Sequence, residues 1–199
     1  MNETTVLIVP GLRDVVAQHW QTLLEARLRA AGRPVASVPP MGRNDLDCAT
    51  RMAAIDGAVR LVEGPLIVVA HSGGCIMLAH WANWAKATTH AVQGALLATP
   101  PDFERPMPAG YPTLDALRAG GWLPVLRKPL PFASIVAASR NDPLADHDRV
   151  AMLARSWGSR LVDLGEVGHL NPASGYGEWP RAEALIAELS TMAAAQPQI

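Results

Sequence analysis

Short runs of consecutive apolar residues recur along the chain, and most are followed by a longer stretch with apolar residues at helical spacing. A short apolar run between turn residues is typical of a strand buried on both faces of a parallel sheet. Strands are therefore predicted at 6–9, 35–38, 66–70, 92–98, 132–138 and 160–164. Helices are predicted at 18–31, from Asp45 or Asp47 to 62, directly after 72, at 114–119, from Asp142 to 157 and at 179–192.

Strands that alternate with helices indicate right-handed crossovers, and hence a mostly parallel sheet covered by helices on both faces. A chain that winds outward from its first strand and then reverses gives the spatial strand order 2-1-3-4-5-6. Ligands of such sheets bind at the carboxyl ends of the strands that flank the reversal, here the first and the third. We expect one α/β domain over 1–199, a three-layer sandwich around a six-stranded sheet.

Composition narrows the possible functions. The chain is 49% hydrophobic and 18% charged with a net charge of −1, which fits a globular protein and gives no electrostatic reason to expect nucleic acid as a partner. It has no apolar stretch long enough to span a membrane and no visible secretory signal. Cys48 and Cys75 suit a reducing compartment and lack zinc-ligand spacing, so we expect a cytoplasmic protein without a metal or membrane partner.

The apolar run at 66–70 leads through His71 into Ser72, Gly73 and Gly74, and a helical pattern follows. A strand-to-helix turn flanked by small residues lifts a serine hydroxyl clear of the backbone at the end of a sheet. The usual pattern is G-x-S-x-G, and this chain has Ala70 at its first position. Such a turn is often only a connection, so a catalytic interpretation needs an acid and a base later in the chain.

Both partners follow at the expected places. Ser72 ends the third strand, Asp142 follows the fifth and His169 follows the sixth, which is the chain order Ser, Asp, His of this architecture. A neutral serine needs a base within hydrogen-bond reach, and the base needs an acid that fixes its tautomer. We therefore predict Ser72, Asp142 and His169 as a catalytic triad. Glu166 is an alternative acid, and Asp142 also fits a helix N-cap.

Acyl transfer further requires two N–H donors for the developing oxyanion. The expected donors are the amide of Gly73, directly after the nucleophile, and that of Leu12, in the loop after the first strand.

Substrate contacts are less constrained by the sequence. His19, His71 and Leu170 neighbour the predicted site. Trp122 fits an apolar acyl pocket as well as it fits the core, and so does Trp179. The proline-rich segment 99–130 is predicted to cross one end of the sheet as a long loop, where loops of this length are typically functional.

Several blocks of sequence resemble the small serine hydrolases related to retinoblastoma-binding protein nine, the YdeN-like group of the α/β-hydrolase superfamily. The blocks are Val9-Pro10-Gly11 with His19-Trp20-Gln21, Ala70–Cys75, Ala138–Pro143, Gly168–Pro172, Ser174-Gly175 and Gly177–Pro180. The resemblance implies a minimal hydrolase fold without a cap domain, with Ser72 as nucleophile, Asp142 as acid and His169 as base. It also implies activity on small acyl esters and, for some members, a peptidase-like activity.

The chain departs from that group at Gly73, where the group more often has Leu. The missing side chain is expected to widen the pocket or to loosen the oxyanion donor. A retinoblastoma-type partner is not expected, because the nearest match to Leu-x-Cys-x-Glu is Leu46-Asp-Cys48-Ala-Thr50, without the Glu.

We predict a carboxylesterase-like serine hydrolase that cleaves small acyl esters through an acyl-enzyme, with no organic cofactor or metal. An amidase or peptidase-like hydrolase and a non-catalytic binding protein on the same scaffold are the alternatives. A nucleotide-binding protein is disfavoured, because the chain has neither G-x-G-x-x-G after the first strand nor G-x-x-x-x-G-K-[ST].

Overall fold

A computed structural model of the chain describes residues 3–13, 16–42, 44–85 and 91–194, so the predicted domain 1–199 extends beyond the described ranges at both ends. Its strands are β1 (Thr5–Val9), β2 (Val35–Ser37), β3 (Leu66–His71), β4 (Val92–Ala98), β5 (Ala133–Ala138) and β6 (Arg160–Asp163). They form one parallel sheet in the order β2-β1-β3-β4-β5-β6, which confirms the predicted order.

The helices alternate with the strands along the chain and cover the two faces of the sheet. They are α1 (Trp20–Ala30), α2 (Cys48–Arg60), α3 (Gly73–Trp84), α4 (Leu114–Ala119), α5 (His147–Trp157) and α6 (Arg181–Ala194). A short 3-10 turn covers Pro172–Ser174. Of the two predicted caps of α2, Asp47 is the one used: its carboxylate accepts the amide of Thr50 at 2.8 Å.

The helix predicted to begin at Asp142 begins at His147, with Asp146 as its N-cap residue. The Asp142 carboxylate accepts the amide of Leu144 at 2.9 Å in the turn that precedes the helix. The N-cap interpretation of Asp142 is therefore wrong. The side chain of Asp142 in this turn is also bound from another part of the chain, as described below.

Consecutive apolar residues in the strands are explained by two separate cores, one on each face of the sheet. Val68 and Ala70 of β3 belong to the core formed with α2, α3 and α5. Ile67 and Val69 belong to the core formed with α1 and α6. Every residue of β3 is buried, so its apolar run carries no alternation.

Candidate active site

Ser72 lies at the sharp turn between β3 and α3. Its backbone has φ 54° and ψ −130°, which is uncommon for a residue with a Cβ and costs of the order of 1–3 kcal/mol. Its amide donates to the carbonyl of Ala98 at 2.9 Å, which ties the turn to the end of β4. A Cβ on Gly74 would lie 2.5 Å from the carbonyl oxygen of Pro10, so the turn can pass this close to β1 only with glycine there.

Three side chains from distant parts of the chain meet at this turn. His169 Nε2 lies 2.8 Å from Ser72 Oγ, and His169 Nδ1 lies 2.8 Å and 3.0 Å from the two carboxylate oxygens of Asp142. The network places the ring proton on Nδ1, where it is donated to Asp142, and leaves Nε2 to accept from the hydroxyl. The side chains of His169 and Asp142 are only 4% and 2% exposed. This arrangement can activate a hydroxyl as a nucleophile.

The loop that carries His169 is fixed by hydrogen bonds to its backbone. Asn141 Oδ1 accepts the amide of Gly168 at 2.6 Å, and Ser174 Oγ accepts the amide of His169 at 3.0 Å. Gly168 has φ 56°, and a Cβ there would lie 2.5 Å from Ser174 Oγ. The sequence alone assigned no role to Asn141, Gly168 or Ser174, although all three lie in the blocks that carry the resemblance.

His71 contacts the backbone of His169. Its Nε2 lies 3.0 Å from the carbonyl oxygen of His169, and since a carbonyl only accepts, Nε2 carries the proton. Thr99 Oγ1 donates to the same oxygen at 3.4 Å. Burial lowers the pKa of His71 well below its usual value, and the nearby rings of His169 and His19 lower it further. His71 is therefore a neutral donor that holds the backbone of the base.

His19 precedes α1, where its Nδ1 accepts the amide of Gln21 at 3.2 Å. Burial, with a further contribution from His169, lowers the pKa of His19 to about 4. The neutral ring therefore carries its proton on Nε2. His19 and His71 both line the cleft beside Ser72, as the sequence predicts.

The two predicted oxyanion donors lie next to each other. A Cβ on Gly73 would lie 2.7 Å from Leu12 Cγ, so the Leu12 side chain covers Gly73. Neither amide donates to a backbone carbonyl of the described chain. The expectation that Gly73 widens the pocket is wrong, because Leu12 occupies the space that a larger residue at position 73 would fill.

A cleft of about 260 Å³ opens at the carboxyl ends of β1, β2 and β3, with Ser72 and His169 in its wall. This volume is just below the usual range for clefts that take drug-sized ligands, so the cleft fits a small substrate. Loop 99–130 contributes Phe103, Met107 and Tyr111 to the wall. The sequence predicts that this loop is functional but does not indicate which of its residues reach the cleft.

Two predicted substrate contacts lie elsewhere. Trp122 is fully buried, donates its Nε1–H to the carbonyl of Leu46 at 2.7 Å and packs against Phe103. Leu170 is fully buried in the core beside α6. Neither lines the cleft, because both side chains are used in packing. Trp179 also packs in that core, with its ring centroid 4.8 Å from that of Trp20.

Gln21 is a site residue that sequence reasoning missed. It lines the cleft, and its amide nitrogen donates to the carbonyls of Val9 and Val69, each at 3.0 Å. It thus joins the carboxyl ends of β1 and β3, the strands on either side of the reversal. The signal available was its place in the block His19-Trp20-Gln21.

Among the described residues, no group of three or more His, Cys, Asp or Glu side chains is arranged to hold a metal ion. No helix among them is long and apolar enough to cross a membrane.

The sheet order and the serine at a strand-to-helix turn are those of the α/β-hydrolase fold. The model of the serine hydrolase family matches residues 6–188, so the chain belongs to that family. This match and a solved structure together confirm the resemblance to the YdeN-like group. A YdeN-like hydrolase from Pectobacterium atrosepticum is 27% identical, with a TM-score of 0.78 over 96% of this chain and 92% of that one.

The ydeN gene product of B. subtilis is 16% identical, with a TM-score of 0.72 over 94% of this chain and 99% of that one. The esterase domain of a Rhodothermus marinus protein is also 16% identical, with a TM-score of 0.61 over 86% of this chain and 80% of that one. At these identities the likeness establishes the fold. A search of curated proteins found no matching sequence.

Proposed function

We propose that this serine hydrolase is a carboxylesterase-like enzyme that cleaves small acyl esters through an acyl-enzyme on Ser72. The observation that carries the proposal is the continuous hydrogen-bonded chain from Asp142 through His169 to Ser72, with heavy-atom distances of 2.8 Å at each step. A chance cluster of polar groups rarely combines this order with a strained serine that faces a cleft.

In the proposed reaction Ser72 Oγ attacks the ester carbonyl while His169 Nε2 takes the hydroxyl proton. Asp142 stabilises the imidazolium that results, and His169 then gives the proton to the departing alcohol. Water attacks the acyl-enzyme by the same route in reverse, with His169 again as base. These steps need no metal or organic cofactor.

The amides of Leu12 and Gly73 are the proposed donors to the oxyanion. Gly73 is the first residue of α3, so its N–H has no carbonyl partner within the helix and adds to the positive end of the helix dipole. The loop of Leu12 approaches closely because Gly11 lies against Ser72: a Cβ on Gly11 would be 3.1 Å from Ser72 Cβ.

Small esters are the proposed substrate class, because the cleft has a small volume and its wall is largely apolar. The esterase domain of the Rhodothermus marinus protein and polyneuridine aldehyde esterase, which shares the fold, are named as esterases. A cytoplasmic location is proposed on the two buried, free cysteines, which suit a reducing compartment.

The test is covalent labelling by a fluorophosphonate probe together with hydrolysis of p-nitrophenyl esters of increasing acyl length. The wild-type protein is expected to react at Ser72, to turn over short esters and to lose both activities in Ser72→Ala. The matched control is Ser156→Ala on the exposed side of α5, which should label and turn over normally. Labelling that survives Ser72→Ala would reject the assignment, and inertness of the folded wild-type protein would favour a binding protein.

A further inference from the structure

We propose that the cleft selects esters or amides that carry a carboxylate, bound by Arg13, a few bonds from the carbonyl that reacts. The proposal rests on the proposed function and names its substrate class. Arg13 lines the cleft two residues after Gly11, which lies against Ser72. A charge held there lies in the same cleft as the hydroxyl of Ser72.

The guanidinium of Arg13 is held over an aromatic ring. Its Cζ lies 4.4 Å from the centroid of Tyr111, a residue of loop 99–130 that also lines the cleft. This contact orients the cation in the wall of the cleft. A ring that covers a face of the guanidinium leaves the N–H groups in its plane, and these can bind both oxygens of a carboxylate.

No carboxylate of the described residues pairs with Arg13, in contrast to many other arginines of the chain. Glu25, the acidic residue in the cleft wall, is bound by Arg29 at 2.7 Å. The acids of the loop that carries Tyr111 are paired as well: Asp102 with Arg149 at 2.6 Å and Glu104 with Arg127 at 2.7 Å. Arg13 therefore has no ion-pair partner among the described residues of the cleft wall.

The wall of the cleft is largely apolar, with Leu12, Val16, Met107 and Pro112 among its residues. A largely apolar wall with one arginine among its described residues fits a ligand with a short hydrocarbon spacer and one anionic end. A polyanion would leave part of its own charge without a partner. A purely aliphatic ester would leave the guanidinium of Arg13 without one.

The experiment compares charged esters with neutral esters of the same shape, by proton release at constant pH. In the first pair, monoethyl glutarate and ethyl 5-methylhexanoate, the carboxylate or the isopropyl group that replaces it is in the acyl part. In the second pair, 4-acetoxybutyrate and 4-methylpentyl acetate, it is in the alcohol part. For at least one pair, Arg13→Gln is expected to lower kcat/KM of the charged ester on the order of tenfold, mainly through KM, and that of the neutral ester by less than about twofold.

Four further variants sharpen the test. Arg13→Lys should retain part of the preference, because lysine keeps the charge but not the planar fork. Tyr111→Phe should keep the preference and Tyr111→Leu should weaken it. Arg118→Gln makes the same change in net charge on the exposed face of α4, where Arg118 pairs with Asp115 at 3.0 Å, and should leave the preference unchanged.

Equal losses for charged and neutral esters in both pairs would overturn the inference, because Arg13 would then only link two loops. A wild-type enzyme that prefers the neutral ester in both pairs would overturn it too. In either case Ser72→Ala should still abolish turnover. Turnover that survives Ser72→Ala would mean instead that the proposed function has failed.

Discussion

The contact between Leu12 and Gly73 gives a sharp test of how the two proposed oxyanion donors are held. Gly73→Ala adds a single carbon, which would lie 2.7 Å from Leu12 Cγ and 3.2 Å from Leu12 Cδ2. Carbon atoms are at their best separation at about 3.5–4.0 Å, so the nearest contact is too short by roughly 1 Å. Because Cγ is the branch point of leucine, the side chain cannot avoid the new carbon by moving its far end alone.

Overpacking of this kind costs about 1–3 kcal/mol, and the loop of Leu12 is the part free to move. A shift of the Leu12 amide by about 1 Å would weaken one oxyanion donor, so kcat for p-nitrophenyl acetate is expected to fall about 10- to 100-fold. Leu12→Ala removes the clashing atoms and keeps the amide, so it should lower kcat only a few-fold. The double variant should be close to Leu12→Ala.

The result that would refute this reasoning is additivity. If kcat of the double variant is lower than that of the wild type by the product of the two single effects, the two side chains do not interact and Leu12 does not move. Gly57→Ala is the matched control: it lies within α2 with nothing within 4 Å of its added carbon. It should leave kcat unchanged and stabilise the protein to urea by about 0.5–1 kcal/mol.

Three further predictions concern buried polar groups around the site. Asp142→Asn should lower kcat on the order of a thousandfold without changing the urea midpoint, since the tautomer of the base is lost; full activity would point to Glu166. His71→Phe should lower kcat about tenfold with KM unchanged, and His71→Gln, which restores a donor, should recover part of it; a change in KM alone would contradict positioning. The pKa of His19 is lowered from 6.5 to about 4, so unfolding takes up a proton between these values. The contribution of a neutral His19 to stability is therefore complete above about pH 6.5 and is lost as the pH drops toward 4. His19→Gln should make the urea midpoint fall less steeply over this pH range; an unchanged pH dependence of the midpoint would refute the prediction.

The sheet could be predicted from the sequence because buried parallel strands consist of apolar runs, and crossover rules leave few strand orders. The β4 strand begins and ends at the predicted residues, 92 and 98. The meeting of Ser72, Asp142 and His169 could be anticipated for a similar reason. Each follows a strand, and parallel strands bring their carboxyl ends to one edge of the sheet.

What could not be predicted depends on contacts between residues far apart in the chain. The helix α5 begins at His147 and not at Asp142, whose carboxylate binds His169, 27 positions away. Trp122 is drawn out of the site by the carbonyl of Leu46, 76 positions away. Periodicity and local propensity contain no information on such partners, so an aromatic residue in a loop could not be assigned to the cleft or to the core.

The strain at Ser72 is sustained by bonds that do not involve any reacting atom. Gln21 joins the ends of β1 and β3, His71 holds the carbonyl of His169, and Asn141 holds the amide of Gly168. Each bond satisfies a backbone group that would otherwise be costly to leave unpaired. Together they fix the turn of Ser72 and the loop of His169 relative to one sheet edge. A strained backbone persists only where its surroundings determine it this fully, so the short distance between the Ser72 hydroxyl and the His169 imidazole is a property of these supports as much as of the two side chains themselves.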